Sequence, residues 1–110
     1  VSYAPQAILG RNKIQILQTE RENNWFPTGA QIAPLGLLFI DGGHSLDAAL
    51  ADYRNWSQHV VKGGLLVIHD VFPHVAEGGQ APYAIWQLAK QSGLFEPVAT
   101  CESIRALRRL

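Results

Sequence analysis

The sequence predicts an α/β fold built on a parallel sheet, because two apolar runs flank a helical segment. The first run, Leu35–Ile40, ends before Asp41, and the second, residues 65–68, ends before His69. Short uninterrupted apolar runs are typical of strands that are buried on both faces, as in parallel sheets. A helix between two such strands implies that they run parallel and that the crossover is right-handed.

The helix between the two strands is predicted over residues 46–62. Ser45 is a favourable N-cap residue because its hydroxyl accepts a hydrogen bond from a free backbone amide. Asp47 places negative charge in the first turn, and Gly63 after Lys62 indicates the C-terminal end. Apolar side chains recur mostly three or four residues apart, which predicts one buried face. They are Leu46, Ala49, Leu50, Tyr53, Trp56 and Val60.

Further elements are predicted on both sides of this unit. A second helix has Pro82 in its first turn and Gly93 at its C-terminal end. Residues 13–17 alternate in polarity like a strand, and residues 97–101 also look like a strand. The pattern of residues 103–110 suits either a strand or a helix.

The composition limits the class of protein. The chain has 110 residues, 9 Lys+Arg against 9 Asp+Glu, and 47% hydrophobic residues, which indicates one soluble globular domain. Nucleic-acid binding is not expected without a basic excess, and no apolar run approaches the ~20 residues that span a bilayer. Cys101 is the single cysteine, and no signal peptide is visible, so we expect a cytoplasmic protein.

Acidic and imidazole side chains follow both predicted strands. Asp41 and His44 come after the first strand, and His69 and Asp70 come after the second. Parallel strands end at the same edge of a sheet, where ligands bind in open α/β folds. Carboxylates suit Mg²⁺ or Mn²⁺, and an imidazole can act as a general base near neutral pH. We expect His69 to face away from Asp70, because neighbouring strand residues point to opposite faces.

Simpler structural roles are open for several of these residues. An Asp before Gly-Gly often closes a turn, so Asp41 is either a ligand or a turn residue. Cys101 is interpreted as a small buried residue. The cluster of Arg105, Arg108 and Arg109 is interpreted as a solvated edge.

Two segments together resemble a known family. Residues 37–45 read LLFIDGGHS and residues 62–71 read KGGLLVIHDV. They resemble class I S-adenosylmethionine-dependent methyltransferases, in particular a subgroup with a DGGHS … GGLL … HD pattern that includes small-molecule O-methyltransferases. The resemblance covers about residues 35–110. It implies a Rossmann-like sheet in which residues 13–17, Leu35–Ile40 and 65–68 are the third, fourth and fifth strands. Residues 97–101 and 103–109 are then the last two strands, an antiparallel hairpin.

The resemblance also implies a site and its ligands. S-adenosylmethionine is the expected methyl donor, and a small-molecule hydroxyl is the expected acceptor. Asp41 and Asp70 match the acids that bind a divalent cation such as Mg²⁺ in metal-dependent relatives, although Val71 stands where some relatives have an amide or an acid. The expected site residues are Asp41 and Gly42 at the cofactor, Asp41 and Asp70 at the metal, and His44 and His69 as candidate bases.

The N-terminal segment differs from the family pattern. The family binds its cofactor with a glycine-rich loop after the first strand and an acid after the second. Residues 1–12 contain one glycine, Gly10, and no acidic residue. We therefore expect residues 1–110 to form a single partial domain, the C-terminal half of the fold with strands 3 to 7. Alone, it is expected to bind S-adenosylmethionine weakly or not at all. Leu35–Ile40 would then be an exposed edge strand, which predicts a homodimer.

Two other classes of function are open at this stage. A metal-dependent hydrolase or phosphoryl-transfer domain would use the same carboxylates, Asp41 and Asp70. A non-catalytic Rossmann-like association domain would not need them, so replacing both with Asn would leave its behaviour unchanged.

Overall fold

The computed structural model describes residues 6–10, 14–17, 34–42 and 45–110. None of the helices in these ranges is long and apolar enough to cross a membrane. The strands are β1 (Gln6–Leu9), β2 (Ile14–Leu17), β3 (Leu35–Ile40), β4 (Val60–Ile68), β5 (Phe95–Cys101) and β6 (Ile104–Arg109), and the α-helices are α1 (Leu46–Trp56) and α2 (Ala81–Gln91).

The six strands form one mixed sheet in the order β2-β1-β3-β4-β6-β5. Strands β1, β3 and β4 run parallel, whereas β6 is antiparallel to both β4 and β5. The α/β fold class is therefore confirmed, with a Rossmann-like sheet and the β3–α1–β4 unit at its centre. The C-terminal tail, which the sequence left open, is a strand of an antiparallel hairpin.

The prediction that β3 is an exposed edge strand is wrong. Residues 13–17 include β2, but the strand beside β3 is β1, which the sequence pattern did not predict. Only residues 10–13 separate β1 from β2, which is too short for a crossover, so β2 pairs with β1 in the antiparallel direction. Because β1 and β4 flank β3, Leu35–Ile40 is not an edge strand, and the homodimer argument based on that edge fails. Lys13 lies outside the described residues.

The two helices share one core with the sheet. Ser45 caps α1 as predicted, because its Oγ accepts a hydrogen bond from Ala48 N at 3.1 Å. Tyr53 and Trp56 are buried core aromatics, also as predicted. The largest fully buried side chains come from the strands, from α2 and from the segment after β4: Leu9, Leu35, Leu38, Leu66, Ile68, Ile85, Leu107 and Val71.

Helix α1 ends earlier than the sequence predicts. It stops at Trp56, and a 3₁₀ turn, Ser57–His59, leads into β4 before Gly63 is reached. Gly63 has φ 81°, and the β3–β4 register shifts opposite this segment, so this glycine marks an irregularity inside a strand and not a helix end. Leu46, predicted to be buried, is 50% exposed because it is the first residue of α1.

Two predictions for the C-terminal hairpin are also wrong. Cys101 is exposed because it ends β5, which is an edge strand of the sheet. Arg105 is only 8% exposed, so the interpretation of the arginine cluster as a solvated edge is wrong for this residue, whereas Arg108 is exposed. Arg105 lies two residues from the fully buried Leu107 on β6 and therefore shares its face of the sheet.

Candidate functional site at the carboxyl edge of the sheet

Asp41 and His69 directly follow the parallel strands β3 and β4. The hydrogen-bond ladder continues past the strand ends: Asp41 N donates to Leu9 O at 2.8 Å, and His69 N donates to Ile40 O at 3.1 Å. These bonds fix the backbone of both residues at the same edge of the sheet. Asp41 and His69 therefore lie at the carboxyl ends of the parallel strands, the edge where the sequence predicts the site.

The side chains of Asp41, His69 and Asp70 converge at this edge. His69 Nδ1 lies 2.9 Å from Asp70 Oδ1 and 3.5 Å from Asp41 Oδ1. One candidate ligand atom from each residue falls within a group whose members are all within 4.8 Å of one another. The side chains are 46% (Asp41), 35% (His69) and 26% (Asp70) exposed, so solutes can reach them.

The prediction that His69 faces away from Asp70 is wrong. Alternation of side chains requires extended backbone, but β4 ends at Ile68, and Asp70 has φ 62°, in the left-handed region. This turn brings the Asp70 carboxylate back to the imidazole. A left-handed conformation is uncommon outside glycine, and such residues are frequent at functional sites.

The Nδ1 atom of His69 is buried and has no hydrogen-bond partner among the described residues. Asp70 Oδ1 is close enough at 2.9 Å, but the contact does not have the direction of a hydrogen bond. The exposed surface of the His69 side chain therefore lies on the other atoms of the ring. The ring also packs against Phe39 in a T-shaped arrangement, with 6.2 Å between the ring centroids. A buried nitrogen without a hydrogen-bond partner between two carboxylates fits a ligand of a divalent cation.

Gly42 lies where helix α1 approaches the turn after β3. A Cβ placed on this residue would lie 2.6 Å from Asp52 Oδ2, on α1. Burial raises the pKa of the Asp52 carboxyl. The turn that presents Asp41 is therefore packed against a partly desolvated carboxylate.

Gly42→Ala is expected to destabilise the protein by at most about 1 kcal/mol, because the new methyl group must push aside the carboxylate of Asp52, which ends a flexible side chain. Gly79→Ala is the matched control, since a Cβ at Gly79 meets nothing within 4 Å. Urea unfolding of the two variants measures the difference. Adding Asp52→Ala to Gly42→Ala should recover part of the loss, and equal stability of the two single variants would contradict the packing argument.

A cavity of about 600 Å³ begins at Val71, the residue that follows Asp70 in the chain. It is lined by residues 71–74, Glu77, residues 102–103 and Arg105. The segment after β4, predicted to lie near the site, therefore forms one wall, and the β5–β6 turn forms another. Sequence reasoning missed Arg105, although the strand pattern places it on the same face as Leu107.

Four predicted site residues lie together at this edge: Asp41, Gly42, His69 and Asp70. His44, the other candidate base, lies outside the described residues and stays a prediction.

A comparison of the chain with protein-family models identifies its family. Residues 9–71, more than half of the chain, match a family model described as a methyltransferase domain. The match spans β3, α1 and β4 and includes Asp41, His69 and Asp70. The chain therefore belongs to this methyltransferase domain family.

Proposed function

We propose that the protein transfers a methyl group from S-adenosylmethionine to an oxygen atom of a small-molecule acceptor. The observation that supports this most is the convergence of Asp41, His69 and Asp70 at the carboxyl edge of a methyltransferase-family sheet. Family membership favours methyl transfer over the hydrolase and phosphoryl-transfer alternative. It also favours an enzyme over a non-catalytic association domain.

A divalent cation is part of this proposal. Asp41 and Asp70 offer carboxylate oxygens, and His69 offers Nδ1, which has no hydrogen-bond partner among the described residues. This mixed oxygen and nitrogen set suits Mn²⁺ or Fe²⁺ as well as Mg²⁺. When bound, the cation supplies Lewis-acid polarisation of an acceptor oxygen.

His69 has two candidate roles, and they exclude each other. As a cation ligand through Nδ1, the neutral ring keeps its proton on Nε2 and cannot accept another there. As a general base, the ring needs its proton on Nδ1 so that Nε2 is free. We favour the ligand role because Nδ1 makes no hydrogen bond to Asp70. The base role then falls to His44.

The acceptor is proposed to occupy the cavity that begins at Val71, next to Asp70 in the chain. Val71, Phe72 and Pro73 offer apolar contacts in its lining, and Glu102 and Arg105 offer polar groups. The methyl donor is proposed to bind at the Asp41–Gly42 side of the same edge. In this arrangement the protein accelerates the reaction mostly by holding the acceptor oxygen in line with the methyl group.

The test is transfer of a labelled methyl group from S-adenosylmethionine to a panel of hydroxyl compounds, with catechol as the first probe. We expect the full-length gene product to form a methylated product that chelation of divalent cations abolishes. Residues 1–110 alone are expected to bind S-adenosylmethionine weakly or not at all in a calorimetric titration. Cation-dependent ester or phosphate hydrolysis without S-adenosylmethionine would contradict the proposal.

A further inference from the structure

Arg105 holds the turn between β5 and β6. Its Nη1 donates to Glu102 O at 2.6 Å and to Ile104 O at 3.2 Å, the two carbonyls on either side of Ser103. The residue is only 8% exposed, and among the described side chains no carboxylate forms an ion pair with it. A buried guanidinium needs compensating contacts, so these carbonyls are its main polar partners.

Two further observations support the role of Arg105 in holding this turn. Glu102 has φ 53°, a conformation that a residue other than glycine adopts at an energetic cost. A charge-assisted hydrogen bond to its carbonyl offsets that cost. On α2, the Trp86 ring lies 5.2 Å from Arg105 Cζ, which restricts the guanidinium further.

The β5–β6 turn is hydrogen-bonded to Val71, the residue that follows the candidate cation ligand Asp70. Val71 N donates to Ser103 O at 2.8 Å, and Ser103 lies between the two residues whose carbonyls Arg105 holds. Val71 is fully buried and directly follows Asp70, whose left-handed backbone turns its carboxylate to His69. The contacts therefore run from Arg105 through the turn to Val71 and Asp70.

We propose that Arg105 is a positioning residue for Asp70. It does not contact the carboxylate; it holds the turn that anchors Val71, and this anchor keeps Asp70 in the orientation that faces His69 and Asp41. That this orientation matters for cation binding rests on the proposed function. The contacts that hold Asp70 in place do not depend on it.

The experiment compares Arg105→Gln and Arg105→Lys with a matched control, Arg108→Gln, which removes an exposed arginine from the same strand. Amide hydrogen exchange is measured for Val71 and for Leu66 in the centre of β4. We expect Val71 to exchange about tenfold faster in Arg105→Gln, because its hydrogen bond to the turn opens more often, with Leu66 unchanged. Arg105→Lys, which keeps a cationic donor, should recover part of the protection, and Arg108→Gln should have no effect.

Two readouts then report on Asp70 itself. The ¹³C chemical shift of its carboxyl should move in Arg105→Gln and stay constant in Arg108→Gln, without any metal present. Mn²⁺ affinity should fall about tenfold in Arg105→Gln alone.

Each outcome distinguishes the two proposals. Unchanged exchange at Val71, an equal rise at Leu66, or a constant Asp70 carboxyl shift would overturn the positioning role. If the wild type binds no Mn²⁺, the cation site of the proposed function fails, and the exchange and chemical-shift results still decide the role of Arg105.

Discussion

Replacing both Asp41 and Asp70 with asparagine is expected to weaken Mn²⁺ binding by about 100-fold or more, since hard cations depend on carboxylate oxygens. Asparagine has nearly the same shape as aspartate, and both carboxylates are partly exposed, so the fold should persist. Calorimetric titration of Mn²⁺ measures the affinity, and circular dichroism checks the fold.

The matched control for this double variant is Asp47→Asn. Asp47 is an exposed acid in the first turn of α1, outside the cluster at the sheet edge. The Asp47→Asn substitution removes one negative charge without changing the proposed ligand set. Mn²⁺ affinity should therefore stay within about twofold of wild type, because screened surface charges interact weakly. Equal Mn²⁺ affinity of the wild type and the double variant would instead favour the non-catalytic association domain.

Leu66→Ala is expected to lower the free energy of unfolding by about 3 kcal/mol, a large part of the stability of a small domain. Leu66 has no exposed surface and lies in β4, between β3 and β6, so the lost methyl groups leave a cavity in the core. Urea unfolding measures the change.

Leu88→Ala is the control for the core substitution, because Leu88 is 39% exposed on α2. Its loss should cost about 1 kcal/mol or less, since part of its side chain already meets water. Similar losses for the two variants would contradict the placement of Leu66 at the centre of the core.

The parts of the fold that the sequence predicted depend on local patterns. The apolar run of Leu35–Ile40 and the hydroxyl of Ser45 each specify structure through contacts within a few residues. Because β3 and β4 were predicted to be parallel, the location of Asp41, His69 and Asp70 at one edge followed from topology alone. That part of the candidate site could therefore be predicted before any coordinates.

The parts that could not be predicted depend on contacts that are distant in the sequence. Strand β1 has only four residues, and its place beside β3 follows from pairing and not from a pattern. The position of the Asp70 carboxylate beside His69 depends on the left-handed backbone of Asp70, and the modest preference of aspartate for that conformation does not indicate which aspartate adopts it. Arg105 is buried because Trp86 and the β5–β6 turn surround its guanidinium.

Paramagnetic broadening by Mn²⁺ in an NMR titration tests the central claim, that Asp41, His69 and Asp70 form a cation site, most directly. A bound Mn²⁺ broadens the resonances of the nuclei nearest to it. The account predicts that the signals of these three residues disappear first, at substoichiometric Mn²⁺, and that those of Asp47 persist. Broadening centred on Glu77 and Glu102, or none at the three residues, would contradict it.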